Sequence, residues 1–157
     1  MEHLWAPWRI KYIRMAKEAG CILCQKPAES DDELSYILYR GEKNFIIMNS
    51  YPYNAAHLMT APYRHVASLD ELTDEERDEH YRLVSRSIGV LRQVFGPDGF
   101  NIGMNLGRVA GAGIDHHIHS HIVPRWVGDT NFMPVITGTR VVAEALAETY
   151  QKLKGKF

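Results

Sequence analysis

Imidazole recurs at every second position in His117-Ile118-His119-Ser120-His121, a stretch that runs on into Ile122-Val123-Pro124. In an extended strand, residues two apart share a face. Three rings would then stand ~6–7 Å from one to the next, with Ile118 and Ile122 sent to the other side. Ring nitrogens that leave water need partners, so such a face is costly unless something uses it. Two chemistries suit it: metal ligation through neutral ring nitrogens, and nucleophilic attack at phosphorus. A neutral imidazole that attacks phosphorus leaves a phosphoramidate, and it departs readily when that bond is attacked in turn. Its ordinary pKa near ~6.5 keeps much of it neutral around pH 7.

The residues before this stretch favour an anion. Gly107, Gly111 and Gly113 leave backbone N–H groups uncrowded, as an anion-binding concavity requires, and Asn105 adds an amide donor. Neither a Gly-x-x-x-x-Gly-Lys-Ser/Thr loop nor a Gly-x-Ser-x-Gly elbow is present. The chain has 2 cysteines, Cys21 and Cys24. A disulfide across so short a loop would constrain little chain, so the pair reads as metal ligands or as a redox dithiol.

These groups need a scaffold. Strands are predicted over 34–39, 45–48, 57–61 and 100–106, besides the histidine stretch. The connector Asn49-Ser50-Tyr51-Pro52-Tyr53-Asn54 is turn-forming. Thr73-Asp74-Glu75-Glu76 predicts a capping box opening a helix. Tyr81, Val84, Ile88, Leu91 and Phe95 recur along it at helical spacing, and Gly96-Pro97 ends it. His80 and the acidic run 70–79 are expected on its solvated side and N-terminus. Thr139 is expected to open a last helix carrying Val142, Leu146, Tyr150 and Leu153. Strands joined by hairpin-length links, with a helix between and another at the end, predict an α+β fold: an antiparallel sheet with helices packed on one face. The expectation is a single domain over 1–157, with residues 1–20 as an aromatic, basic arm (Trp5, Trp8, Tyr12) on a core of 21–157.

Bulk composition excludes several classes. At 157 residues, 45% of them hydrophobic, the chain can bury a real core. Lys plus Arg (18) nearly balance Asp plus Glu (19), so no long-range field draws it to a nucleic acid polymer or an anionic membrane. No apolar run approaches the ~18 residues of a membrane span. The start, Met1-Glu2-His3-Leu4, lacks the character of a signal peptide, and a soluble cytoplasmic protein is the expectation.

The motifs taken together resemble the histidine triad (HIT) family. His117-Ile118-His119-Ser120-His121-Ile122-Val123 matches the triad pattern. Asn49 through Leu58 resembles the family's nucleoside-binding segment, with Ala56 where glycine is usual. Pro62-Tyr63-Arg64-His65, Pro124-Arg125-Trp126 and Leu4-Trp5-Ala6-Pro7-Trp8-Arg9 are similar to the branch of diadenosine tetraphosphate phosphorylases and related bacterial hydrolases. The resemblance implies cleavage of a dinucleoside polyphosphate through a covalent nucleotidyl-histidine. His119 would be the nucleophile, His121 would contact phosphate and the leaving oxygen, and His57 would complete the network. Asn49 would hold the ribose, with Asn105 and the backbone of Gly111, Ala112 and Gly113 on phosphate oxygens. Cys21, Cys24, His65 and His117 would be ligands of a structural zinc, with Mg2+ as an optional companion of the substrate. An adenine nucleotide would be the ligand, and a homodimer joined at sheet edges the assembly. A phosphoramidase acting on adenosine phosphoramidates and a zinc-stabilised nucleotide-binding module without turnover are the alternatives. One departure stands out: neither Gly113 nor Ile114 offers the Gln, Ser or Thr side chain that many members carry just before the triad.

Overall fold

The structure, a computed structural model, describes residues 20–129 and 145–157. The expected N-terminal arm, and the opening of the last helix at Thr139 with Val142, lie outside the described residues. In chain order the elements are α1 (Ile22–Ala28), α2 (Asp32–Ser35), β1 (Ile37–Arg40), β2 (Asn44–Met48), β3 (Leu58–Pro62), α3 (Asp74–Phe95), β4 (Gly99–Met104), β5 (Ser120–Arg125) and α4 (Leu146–Leu153). Short 3-10 turns at Leu69–Glu71 and Arg108–Ala110 complete the set among the described residues. The strands form one sheet in the order β1-β2-β3-β5-β4, and every neighbouring pair is antiparallel.

Alternation along β2 and β3 decides which side chains meet which layer. Ile46, Met48 and Leu58 face α3 and α4, where they pack with Leu83, Val84, Leu91, Ile122, Tyr150 and Leu153. The intervening residues Phe45, Ile47, Met59 and Ala61 face the other way, onto Cys21 and Leu23 at the start of α1. The two long helices thus cover one face, as expected, and the short α1 covers part of the other. Because Cys21 is the N-cap of α1 and Leu23 is fully buried in that second core, packing of Leu23 sets where the cysteines lie.

Helix α3 starts where predicted. Thr73 Oγ1 accepts from the Glu76 backbone N–H at 3.3 Å, and Glu76 Oε2 accepts from the Thr73 N–H at 2.8 Å. Gly96 closes the helix in the left-handed conformation, φ 54°. Thr73→Ala is expected to lower stability by about 1 kcal/mol, read as a shifted denaturation midpoint at unchanged m-value.

Three expectations need correction. The stretch 34–39 is not one strand. Asp31 caps a single helical turn by accepting from Glu33 and Leu34 N–H, both at 3.0 Å, and β1 begins only at Ile37. The buried stripe of α3 is rotated from the apolar pattern: Tyr81 is 52% exposed, whereas Glu76, Glu79 and His80 are buried. Each of those polar groups has partners. Hydrogen bonds from the Arg64 guanidinium, against the pull of burial, hold Glu76 down at about 2. Glu79 accepts from the N–H groups of Glu42, Lys43 and Asn44 at 2.7–2.8 Å. Burial holds His80 neutral, with its pKa pushed down to about 4. Finally, the ladder of β5 begins at Ser120, so His117, in a bend, and Ile118 and His119 lead into the strand and are not part of it.

Candidate active site

The register brings three of the predicted histidines together. Met59 pairs with His121 and Leu58 with Ile122, so His57, just before β3, stands diagonal to His121 on the face away from α3. His57 Nε2 lies 2.9 Å from His121 Nδ1, and the rings of His119 and His121 are 4.8 Å apart. Gly103 pairs with His121 from the other side, and a Cβ built there would meet no atom of the described residues within 4 Å.

Hydrogen-bond partners fix the tautomers. The Tyr53 N–H donates to His57 Nδ1 at 3.0 Å, so His57 must carry its proton on Nε2 and donate it to His121 Nδ1. That leaves the His121 proton on Nε2. His119 Nδ1 lies 2.9 Å from the His117 carbonyl oxygen, which can only accept; His119 therefore holds its proton on Nδ1 and keeps a lone pair on Nε2. Burial pushes the His119 pKa down, with the His117 carbonyl opposing, and so favours the neutral ring. The arrangement pairs a nucleophilic nitrogen on His119 with an N–H donor on His121.

The turn before His57 is held from several sides. Asn49 Oδ1 accepts from Tyr51 N–H at 2.8 Å, and Asn49 N–H donates to the His57 carbonyl at 2.9 Å. Asn54 reaches the carbonyl of Pro124 and the carboxylate of Asp129, tying the turn to the end of β5. Ala56 adopts φ 55°, the left-handed region that glycine occupies without strain, at the position where the resemblance puts glycine. Tyr53 was not anticipated: its ring lies 4.7 Å from that of His57 and 5.4 Å from that of His121. In the sequence it is one aromatic in a turn, with no period to mark it.

The other predicted residues are placed less tightly. Asn105 follows β4 directly, and because Met104 pairs with Ser120 it lies at the same end of the sheet as His119. Gly111 takes φ 91° at the end of the Arg108–Ala110 turn, with Ala112 and Gly113 in the loop leading to His117. The His116 side chain stands 46% exposed beside Asp115, with its ring 5.2 Å from that of His65.

A second cluster forms behind the triad. One ligand atom each from Cys21, Cys24, His65 and His117 lies within 4.8 Å of the others, and the four could hold a metal ion. His117 Nδ1 is 3.3 Å from Cys21 Sγ and 3.4 Å from Cys24 Sγ, and His65 Nδ1 is 3.2 Å from Cys24 Sγ. A tetrahedral zinc at ~2.3 Å from sulfur and ~2.05 Å from nitrogen requires S···N separations of about 3.5 Å, close to those found. His117 Nε2 donates to the Pro62 carbonyl at 2.8 Å, which turns the unprotonated Nδ1 toward the sulfurs. Burial, opposed by that bond, brings His117 down to about 4. Burial, the hydrogen bond with Cys21 and the charge on Cys21 push the Cys24 thiol up to about 11. Two thiols this close would lose both protons only with a cation between them. Both cysteines are unbridged thiols.

Residues 31–127 match the family described as HIT domain. Over 98% of its length the chain is 37% identical to a protein of Mycobacterium tuberculosis named AP-4-A phosphorylase, of which the match covers 83%. Among solved structures, a Zn-bound histidine triad family protein from Mycobacterium smegmatis superposes with a TM-score of 0.68 at 22% identity, covering 87% of this chain and 92% of that one. A HIT family member from Bacillus subtilis gives a TM-score of 0.63 at 25% identity, covering 82% and 84% respectively. The chain belongs to the HIT family.

Proposed function

We propose that this protein is a nucleotidyl transferase that cleaves diadenosine tetraphosphate by phosphorolysis. The observation that carries the reading is the His119 Nδ1–H bond to the His117 carbonyl, which leaves Nε2 as the attacking atom beside the His121 donor. In the first step His119 Nε2 bonds to the α-phosphorus of one adenylate, and the bond from that phosphorus to the bridging oxygen breaks. His121 Nε2–H hydrogen-bonds the departing oxygen, so ATP leaves. The positive charge that develops on the His119 ring is offset by the His117 carbonyl. In the second step an oxygen of inorganic phosphate attacks the same phosphorus, the P–N bond breaks, and ADP departs. Asn49 binds the ribose, while Asn105 and the backbone of Gly111, Ala112 and Gly113 hold phosphate oxygens as charge builds. Phosphate as acceptor is supported by the name of the M. tuberculosis relative.

Cys21, Cys24, His65 and His117 hold zinc in this reading. Four protein ligands leave no position for water, so the ion is structural, and it anchors the residue two before the nucleophile. Mg2+, where used, rides on the polyphosphate. We further take the protein to be a cytoplasmic homodimer joined through β4, an edge strand on which Ile102 is 48% exposed. No helix among the described residues is long and apolar enough to cross a membrane.

Incubation with diadenosine tetraphosphate, with and without inorganic phosphate, tests the reaction. ADP plus ATP appearing only with phosphate is the expected result. AMP plus ATP without phosphate would make water the acceptor, and intact substrate in both arms would reject the reading.

A further inference from the structure

We propose that His80 is a positioning residue for this reaction, acting through Ser120, the residue between the two histidines that handle the phosphate. The kinetic part of the proposal rests on the nucleotidyl-transfer reading above.

His80 lies on α3, on the far side of the sheet from the triad, and is fully buried. Its Nδ1 is 2.9 Å from Asn44 Oδ1 and its Nε2 is 2.7 Å from Ser120 Oγ. The direction of the chain follows from its far end. The carboxylate of Glu79 accepts from Asn44 Nδ2 at 3.2 Å, and the Glu76 carbonyl accepts from the same nitrogen at 3.0 Å. With its NH2 committed there, Asn44 presents an oxygen to His80, so His80 donates from Nδ1. Its Nε2 is then an acceptor, and the Ser120 hydroxyl donates to it. The orientation set at Glu79 is thereby passed to Ser120. Thr60, directly across the ladder from Ser120, makes no hydrogen bond through Oγ1 among the described residues and does not compete there.

Ser120 is where this bond counts most. It is the first residue of β5, so the chain before it, including His119, lacks ladder support. A side-chain tie to α3 at that point fixes the entry of the chain into the sheet, and with it the spacing of His119 and His121. A displacement of about 1 Å in a reacting group can cost on the order of 100-fold in rate.

The test compares Ser120→Ala, His80→Leu, the double variant and His80→Gln with the wild type on diadenosine tetraphosphate, after a check of folding by circular dichroism. In either single variant kcat should fall about 10- to 100-fold with KM within about threefold. The double variant should be no slower than the slower single. His80→Gln, whose amide oxygen can accept from Ser120, should recover part of the rate lost in His80→Leu. Should His80→Leu not fold, Ser120→Ala carries the test, since it deletes a single oxygen. Folded variants with wild-type kcat overturn the proposal and leave the His119 assignment standing. If the wild type itself cleaves nothing, the nucleotidyl-transfer reading falls and ring 15N spectra of Ser120→Ala decide. Displaced His119 and His121 signals then support positioning, and unchanged ones overturn it.

Discussion

His119→Ala is expected to reduce turnover of diadenosine tetraphosphate by on the order of 10,000-fold or more, while the Kd for a non-cleavable adenine dinucleotide changes only a few-fold. Removal of a covalent nucleophile eliminates the first step and leaves ground-state contacts in place, so the loss belongs in kcat. Two details of the site sharpen the expectation. The proton on His119 Nδ1 is held by the His117 carbonyl, so the lone pair on Nε2 is what the substitution removes. His121 is committed through Nδ1 to His57, which makes it a donor toward substrate and a poor substitute nucleophile. Mass spectrometry of a quenched reaction should show an adenylate adduct on wild-type protein and none on the variant. Turnover by His119→Ala near the wild-type rate would reject the assignment.

Cys21→Ser carries the second large effect. Zinc content should fall from about one ion per chain to near zero, with a drop in Tm of about 10 °C, as expected for several kcal/mol lost from a chain of this size. Activity should fall too, by about 10- to 100-fold, because His117 would lose the ligation that fixes its ring and its carbonyl together. That carbonyl is the acceptor for the His119 proton, so a loosened His117 disturbs the nucleophile directly. Zinc content equal to wild type in Cys21→Ser would remove the cysteine from the ligand set.

Much of this architecture was legible in local pattern. The Thr73–Glu76 box and Gly96 bound α3 as predicted, because caps are short-range chemistry. Strands β2 and β3 fall within one residue of their expected bounds. The gathering of Cys21, Cys24, His65 and His117 was anticipated from the resemblance and not from spacing, since His117 lies 96 residues from Cys21. What escaped is what depends on distant partners. Burial of His80 follows from Asn44 and Ser120, 36 and 40 residues away, and a helical wheel carries no trace of either. Tyr81 was the apolar choice for the same helix face, yet the polar pocket under α3 draws in Glu79 and His80 instead. The histidine stretch was misjudged for another reason. Alternation in the sequence marks which residues could share a face but not where pairing starts, and here it starts only at Ser120. Leu34 extended an apolar run on paper, but the Asp31 cap claims it for a helical turn and leaves it 75% exposed.

The span between Cys21 and His117 also bears on biosynthesis. Synthesis delivers the two cysteines first, and 96 residues separate Cys21 from His117, so the quartet stays incomplete until His117 has left the ribosome. Closing so wide a circuit is entropically slow unless the sheet forms first and brings the ends near one another. A metal held by this quartet would therefore be captured late in maturation, after the sheet has brought the four ligands together.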